Sequence, residues 1–315
     1  MGDKNIRLEK HAEYFLMLAE KLPQQAHSSY MTGLFFVVSG SCLLGILNEE
    51  KKSEIIEWVY EQQIETKPFA GFRANSSAKL SKVSKWDYAS LASTYSALCI
   101  LKILGDDYSR VNKNEIIDSV KAQITENGCA WSHYGSVEAD VRFVYCACCI
   151  CYLLDEWEGF PIDLVTNFIL SCQTYEGGFS IFPGFEAHGG GTFCALSSLY
   201  LLKKINDLPK RELVVEWLVM RQGIGFSGRP GKAEDSCYGY WIGLSLKLLK
   251  AEKYISKDNL EFYFECQTPY GGFSKYPDIG VPDLTHSYLS LVALGVLGVE
   301  GIPSVFPPLG IVFNT

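Results

Sequence analysis

Apolar residues recur at three- and four-residue steps along most of this chain, the spacing of helices with one buried face. "FCALSSLYLL" (Phe193 to Leu202), "LVVEWLVM" (Leu213 to Met220) and "WIGLSLKLL" (Trp241 to Leu249) read this way. "NKNEIIDSVKAQI" (Asn112 to Ile124) is amphipathic, with Asn and Glu at its start, as helix N-termini favour. Strand signals are few. Between the helical stretches a Gly-rich landmark returns: "AGF" (Ala70 to Phe72), "QITENGC" (Gln123 to Cys129), "QTYEGGF" (Gln173 to Phe179), "QGIGF" (Gln222 to Phe226) and "QTPYGGF" (Gln267 to Phe273). The intervals are about 47 to 57 residues. Each repeat therefore reads as two helices and a Gly-rich loop, an all-α design. One such pair cannot bury its own apolar face, so the pairs must stack, as an open solenoid or a closed ring. Periodicity does not choose between these. No Pro/Ser-rich linker interrupts the series, which predicts one domain over residues 1–315. The tail "IPSVFPPLGIVFNT" (Ile302 to Thr315) reads as an extended segment on the surface.

Composition narrows the class of function. The chain has 315 residues, an apolar fraction of 48% and a net charge of −8. That is ample for a large core and makes nucleic acid a poor partner. The start, "MGDKNIRLEKHAEYF", has no apolar signal region, and Ile6 stands where a myristoylation signal needs Ser or Thr. The longest apolar run, Phe143 to Leu154, reads as a buried helix, too short to cross a bilayer. Eleven irregularly spaced cysteines fit a reducing compartment, so the expected location is cytoplasmic and the sequon at Asn75 carries no meaning. Cys146, Cys148, Cys149 and Cys151 form overlapping C-x-x-C patterns. They lie in one helical run, where they cannot wrap around a single ion.

Chemistry concentrates in the loops that follow three landmarks: "SIFPGFEAHGGGTFCALSSL", "SGRPGKAEDSCYGYWIGLSL" and "SKYPDIGVPDLTHSYLSLVAL". His188, Cys237 and His286 sit at equivalent places, where loop becomes inner helix. Stacked repeats would bring them to one end of the assembly. Asp235, Cys237 and His286 then offer oxygen, sulfur and nitrogen, a set zinc accepts, with an open position typical of catalytic sites. The competing reading makes Asp235 a helix cap, Cys237 a core residue and His286 a satisfied polar group. Arg229 and Lys232, with His188 and Tyr238 nearby, suit an anionic, phosphorylated group beside the metal; the alternative is a solvated loop. Trp241, Phe193, Tyr145 and Tyr95 fall on inner helices and would line an apolar funnel.

"EAHGGGTFC", "GRPGKAEDSCYGYW" and "GGFSKYPDIGVPDLTHSY" resemble the β-subunit of the protein prenyltransferases, and "LKILGDDYSRVNK" and "DVRFVYCACCICYLLDEW" resemble its type I geranylgeranyl branch. The resemblance covers nearly the whole chain. It implies an α–α barrel of six inner and six outer helices, and an obligate α-subunit shared between farnesyl- and type I geranylgeranyltransferases. It implies one zinc ion on Asp235, Cys237 and His286, taking the cysteine of a C-terminal C-a-a-X box, X often Leu, on substrates such as small GTPases. That thiolate would attack C1 of geranylgeranyl diphosphate, with His188, Arg229, Lys232 and Tyr238 around the diphosphate. Trp241, Tyr145, Tyr95, Cys194 and Phe36 match the isoprenoid and peptide cavity. Arg142 and Glu138 match residues near the peptide end, and Thr285 would face the peptide.

Two positions bear on the donor. Thr32 stands where farnesyltransferases place a bulky Trp, leaving room for a fourth isoprene unit. Lys275 stands near an Asp that recruits magnesium in farnesyltransferases, so magnesium is not expected to be required. Ser90 and Gly191 depart from their counterparts, which bears on the preferred X residue. Protein farnesyltransferase and the Rab-type enzyme are the sister readings. A terpene cyclase would share the helical ring, but no D-x-D-D motif is present. A helical-repeat scaffold is the non-enzyme alternative.

Overall fold

A computed structural model describes residues 5–20, 29–76, 87–277 and 280–312. Residues 278 and 279 of the loop before His286, and the last three of the tail, lie outside that set. Among the described residues there are twelve α-helices. Six are inner: α2 (Tyr30–Leu43), α4 (Leu91–Ile103), α6 (Val141–Leu154), α8 (Gly189–Leu201), α10 (Tyr238–Leu248) and α12 (Leu284–Leu297). Six are outer: α1 (Leu8–Glu20), α3 (Glu49–Glu61), α5 (Lys113–Ala122), α7 (Ile162–Ser171), α9 (Arg211–Val219) and α11 (Leu260–Cys266). Each inner helix packs on the next, and α12 returns to α2. The ring is closed, which settles the choice that periodicity left open. Each outer helix packs on the inner helix that follows it in the chain.

Sequence pattern decides which helix goes inside. The inner helices are apolar nearly all round, so both faces must be covered; α6 buries twelve residues, its cysteine run among them. That run forms no ligand cluster. The outer helices carry one apolar stripe, as α5 does with Ile116, Ile117 and Val120. No helix among the described residues is long and apolar enough to cross a membrane.

The landmarks are short antiparallel hairpins. Gln63 pairs with Phe72 in the two-stranded sheet β1 (Gln63–Ile64) and β2 (Gly71–Phe72). Gln173 pairs with Phe179, Gln222 with Phe226 and Gln267 with Phe273 in the same way. Three of these Phe amides donate to a hydroxyl on the next inner helix: Phe72 to Thr94, Phe179 to Thr192 and Phe273 to Ser287, at 2.9 to 3.0 Å. A second latch joins neighbouring repeats at the inner N-termini. The amides of Met31, Leu91, Val141, Gly189 and Ser236 donate to the carbonyls of Ala74, Ser132, Ile181, Gly228 and Lys275 in turn. All six inner helices consequently start at one end of the ring, the mouth.

Inside the ring, one aromatic side chain from each inner helix meets the next. Phe35, Tyr95, Tyr145, Phe193, Tyr240 and Tyr288 form a closed hexagon with centroids 5.2 to 6.1 Å apart. The tail does not lie on the surface, as its proline content suggested. Residues 306–311 form a tight loop inserted along the ring axis, with Leu309, Gly310 and Ile311 buried. Tyr145 donates to the Pro308 carbonyl at 3.0 Å and Tyr288 to Gly310 at 2.8 Å. Tyr95 and Tyr240 donate to Leu309 at 3.3 and 3.5 Å. Buried hydroxyls and carbonyls both need partners, and here they satisfy each other.

The outer layer closes through His11 on α1. Its Nδ1 accepts from the Gly272 amide at 3.0 Å, Nε2 donates to Gln267 Oε1 at 3.1 Å, and the ring stacks on Phe273 at 4.3 Å. Burial, ahead of the opposing bond to Gln267, lowers its pKa to about 4. A histidine held neutral contributes stability that is fully present above its unfolded pKa, about 6.5, and is lost as pH falls toward 4. Urea unfolding should therefore show a loss of about 2 kcal/mol between about pH 7 and pH 5 that is absent from His11→Gln.

Candidate metal centre and adjoining cavity

The mouth of the ring collects three of the loops singled out above. The Asp235 amide donates to Phe226 and the Ser236 amide to Lys275, which fixes the second loop against the third. Asp235, Cys237 and His286 converge so that their ligand atoms all lie within 4.8 Å of one another. His188 and Cys237 occupy the N-cap positions of α8 and α10. His286 differs: Asp283 caps α12, and His286 stands three residues inside it. The cap serves twice. Asp283 Oδ1 accepts from the His286 amide at 2.9 Å, and Oδ2 accepts from His286 Nδ1 at 2.5 Å. That bond leaves Nε2 facing Asp235 Oδ1 at 3.2 Å. A carboxylate behind a ligating imidazole fixes its tautomer and raises its basicity. Sequence reasoning overlooked Asp283; the signal was an Asp three residues before the His, at a helix start.

Electrostatics in this cluster favour a cation. Burial opposes charge on His286, yet Asp235 and Asp283 outweigh it and raise its pKa to about 9. Burial would raise the Asp235 carboxyl, but His286 and the Cys237 amide hold it below the usual range. Burial and the Asp235 charge push the Cys237 thiol up. A divalent ion would reverse that last shift, because a coordinated thiol is deprotonated. One oxygen, one sulfur and one nitrogen donor suit zinc. Lys275 Nζ lies 3.6 Å from Asp235 Oδ2, so the expected cation beside the site is at hand.

A cavity of about 690 Å³ reaches Trp241, one turn along α10 from Cys237. Six of the expected residues line it: Arg142, Tyr145, His188, Cys194, Arg229 and Trp241. Ile181, Phe185 and Glu186 join them unforeseen, although Glu186 lies within the quoted "EAHGGGTFC". Gly191 approaches the Phe179 and Ser180 carbonyls so closely that a Cβ would crowd them. His188 Nδ1 accepts from the Gly190 amide at 3.0 Å, which leaves Nε2 to donate to the Tyr238 hydroxyl at 3.0 Å. Burial pushes that hydroxyl to about 12, so Tyr238 keeps its own proton to donate. Burial and the Arg229 charge lower the His188 pKa. Gly228 is required by contact: a side chain there would collide with the Tyr238 ring. Arg229 Nη1 pairs with Glu186 Oε2 at 2.9 Å.

Other expected residues lie off the cavity wall. Lys232 is exposed on the loop after Gly231. Thr285 is exposed in the first turn of α12, and exposed Glu138 pairs with Arg142 at 3.1 Å. Tyr95 stands in the aromatic hexagon. Phe36 stacks on Tyr288 at 5.2 Å, and the Thr32 hydroxyl meets that of Ser96 at 3.3 Å. Ser90 caps α4, accepting from the Ser93 amide. Since Asp283 holds the imidazole, Asp283→Asn should weaken the binding of added zinc at this candidate site by about ten- to a hundredfold. Competition against a chromogenic chelator measures it.

Comparison with known proteins follows the same lines. The family model for the prenyltransferase alpha-alpha toroid domain matches residues 6–311. The geranylgeranyl transferase type-1 subunit beta of Arabidopsis thaliana is 37% identical, over 98% of this chain and 89% of that one. Its Dictyostelium discoideum namesake is 36% identical over 97% and 95%. A solved structure of Candida albicans protein geranylgeranyltransferase-I complexed with GGPP superposes with a TM-score of 0.88. It is 26% identical and covers 98% of this chain and 96% of that one. With a closed ring of six inner and six outer helices and a match over nearly its whole length, the chain belongs to the prenyltransferase alpha-alpha toroid family.

Proposed function

We propose that this chain is the catalytic β-subunit of a type I protein geranylgeranyltransferase, working in a heterodimer with an α-subunit. The single observation that carries the reading is the convergence of Asp235, Cys237 and His286 within 4.8 Å at the start of α10, the helix whose Trp241 lines a largely apolar cavity. The two relatives named type-1 beta subunits support the branch. The substrates are geranylgeranyl diphosphate and a protein ending in a C-a-a-X box.

Asp235, Cys237 and His286 would hold zinc, which when bound supplies a Lewis acid that keeps the substrate cysteine as thiolate at neutral pH. The chain's own residues do the rest. Trp241, Tyr145 and Cys194 take the isoprenoid and exclude water from the reacting carbon. His188, through Nε2, orients the Tyr238 hydroxyl, which with Arg229 faces the diphosphate. These donors strengthen as negative charge builds on the leaving group, so their stabilisation is largest in the transition state. As the thiolate sulfur bonds to C1, the C1–oxygen bond breaks and the electron pair leaves with diphosphate. Lys275 would add the charge that magnesium supplies elsewhere, and Lys232 would close on the diphosphate from its loop. Arg142 and Glu138 would meet the peptide end, with Thr285 beside it. Tyr95, Phe36 and the small Thr32 would make room for the far end of the donor.

The direct test offers geranylgeranyl and farnesyl diphosphate together to the co-expressed heterodimer, with C-a-a-L and C-a-a-S peptides. The expected product is the geranylgeranylated Leu peptide, and Cys237→Ala should lose both zinc and transfer. Farnesylation of the Ser peptide would move the chain to the sister branch. Full metal content and turnover in Cys237→Ala would remove the site. Glu186 competes with the diphosphate for Arg229, so Glu186→Gln should tighten donor binding by about two- to fivefold, as expected for an exposed pair. Equilibrium titration with donor diphosphate reads this.

A further inference from the structure

We infer that the base of the ring, where α8 and α10 end, docks on an anionic membrane surface. This goes beyond the prenyl-transfer reading and does not rest on it. The inner helices start at the mouth, so their last turns and the first turns of the outer helices meet at the base. The turn from α8 to α9 carries Lys203, Lys204, Lys210 and Arg211 against Asp207 and Glu212. The stretch from the end of α10 toward α11 carries Lys247, Lys250, Lys253 and Lys257 against Glu252 and Asp258. Arg211 Nη2 donates to the Leu249 carbonyl at 2.6 Å, which ties the two stretches into one face. Eight cations thus meet four carboxylates there, on a chain whose net charge is −8. Among the described residues, Lys204 alone of the eight is paired, with Asp163 at 3.2 Å and Asp207 at 3.9 Å.

Two features separate this face from an ordinary solvated surface. The first is in the backbone. Just past the six inner helices, Gly45, Gly105, Asp155, Lys203, Lys250 and Gly298 take the left-handed conformation. Glycine does so freely, whereas a residue with a Cβ pays in steric strain. Lysine stands there only in this sector, at φ 60° and 53°, so a charge occupies the tip of a turn that takes glycine in three other repeats. The second is amphipathic character. A groove of about 480 Å³ runs between α9 and the turn after α10, where Arg211, Lys250 and Lys253 surround Val215, Val219 and Leu249, with Glu212 and Glu216 on the α9 side. Tyr254 lines it, half exposed, and Tyr200 is exposed on the last turn of α8. Bilayer interfaces favour tyrosine at headgroup level, and anionic headgroups attract each lysine without any convergence on one pocket. The acidic remainder of the chain does not cancel that attraction. Charges are screened beyond about 8 Å at physiological salt, and the mouth is about 20 Å away, the length of α8. The neighbouring turn from α6 to α7 carries Asp155, Glu156, Glu158 and Asp163, which sets the edge of the face at Lys204. Docked by its base, the ring keeps its mouth open to water, and the transfer reading gives this a use: a lipid-bearing product is released close to a bilayer.

The test is co-sedimentation of the heterodimer with vesicles of phosphatidylcholine, alone or mixed with phosphatidylserine. Wild type should bind only the mixed vesicles, and less as salt is raised. Each lysine near such a surface is worth about fivefold in binding, so Lys203→Gln, Lys250→Gln and Lys253→Gln together should weaken it about a hundredfold. Lys51→Gln, Lys52→Gln and Lys113→Gln remove the same charge from other turns of the base and should change it by less than about twofold. Lys203→Gly with Lys250→Gly should hold or raise the thermal unfolding temperature while weakening binding about twenty-fivefold; a merely structural role would move both together. Equal binding to the two vesicle types, or equal loss in the patch and control variants, overturns the inference. Retention on polyglutamate without vesicle binding would give this face to an acidic protein and overturn it too. Transfer to a soluble C-a-a-L peptide is read separately. Vesicle binding without transfer would sink the transfer reading and keep the docking face, and transfer without vesicle binding would do the reverse.

Discussion

Six helices arranged around an axis leave a hole, and the rest of this structure depends on how that hole is filled. The hexagon of Phe35, Tyr95, Tyr145, Phe193, Tyr240 and Tyr288 fixes its circumference. Each edge contact adds about 0.5–1.5 kcal/mol beyond its burial, and each ring touches two neighbours, so removing one opens two edges. Four of the six are tyrosines; Tyr95 and Tyr145 meet hydroxyl to hydroxyl at 3.1 Å, and any hydroxyl orphaned here would cost about 1–3 kcal/mol. The tail supplies the acceptors as backbone carbonyls. An apolar ring and a polar axis are therefore one unit, and the ring can be large because its centre is not left empty.

That unit divides the molecule into two zones. Below the mouth, packing dominates and titratable groups are silenced; burial pushes the thiols of Cys99, Cys149 and Cys194 well up. At the mouth, the latches between repeats hold side chains from three loops in one place, and charge dominates. Asp283 shows the economy of the arrangement: the same carboxylate begins a helix and orients the imidazole that faces Asp235. Helix geometry thus delivers His286 with its orientation already set.

Much of this was legible in the sequence because it is local. The Gln and Phe of each landmark pair within a hairpin of a few residues, so their recurrence reported the repeat directly. The aligned loops put Asp235, Cys237 and His286 forward as one candidate set, the resemblance chose that reading, and the structure brings the three together. Ring closure was not legible, because it depends on small rotations summed over all repeats. The tail was misread for a similar reason: its prolines are visible locally, whereas the tyrosines that receive it are scattered over four helices. Lys232 was expected at the diphosphate from its loop and from the resemblance, and Thr285 beside the peptide from its place before His286; both side chains are exposed, and side-chain direction on a turn is not written in spacing. Thr32 and Phe36 lie on α2, whose wall the described cavity does not reach.

The shared orientation of the inner helices has an electrical consequence. Each helix carries about half a positive charge at its N-terminus, and here all six starts crowd one mouth. Had the helices alternated in direction, as in an up-down bundle, these partial charges would cancel. The parallel inner ring instead gathers its positive ends around the centre, while the outer helices, which end at the landmark hairpins beside those starts, place their negative ends on the rim.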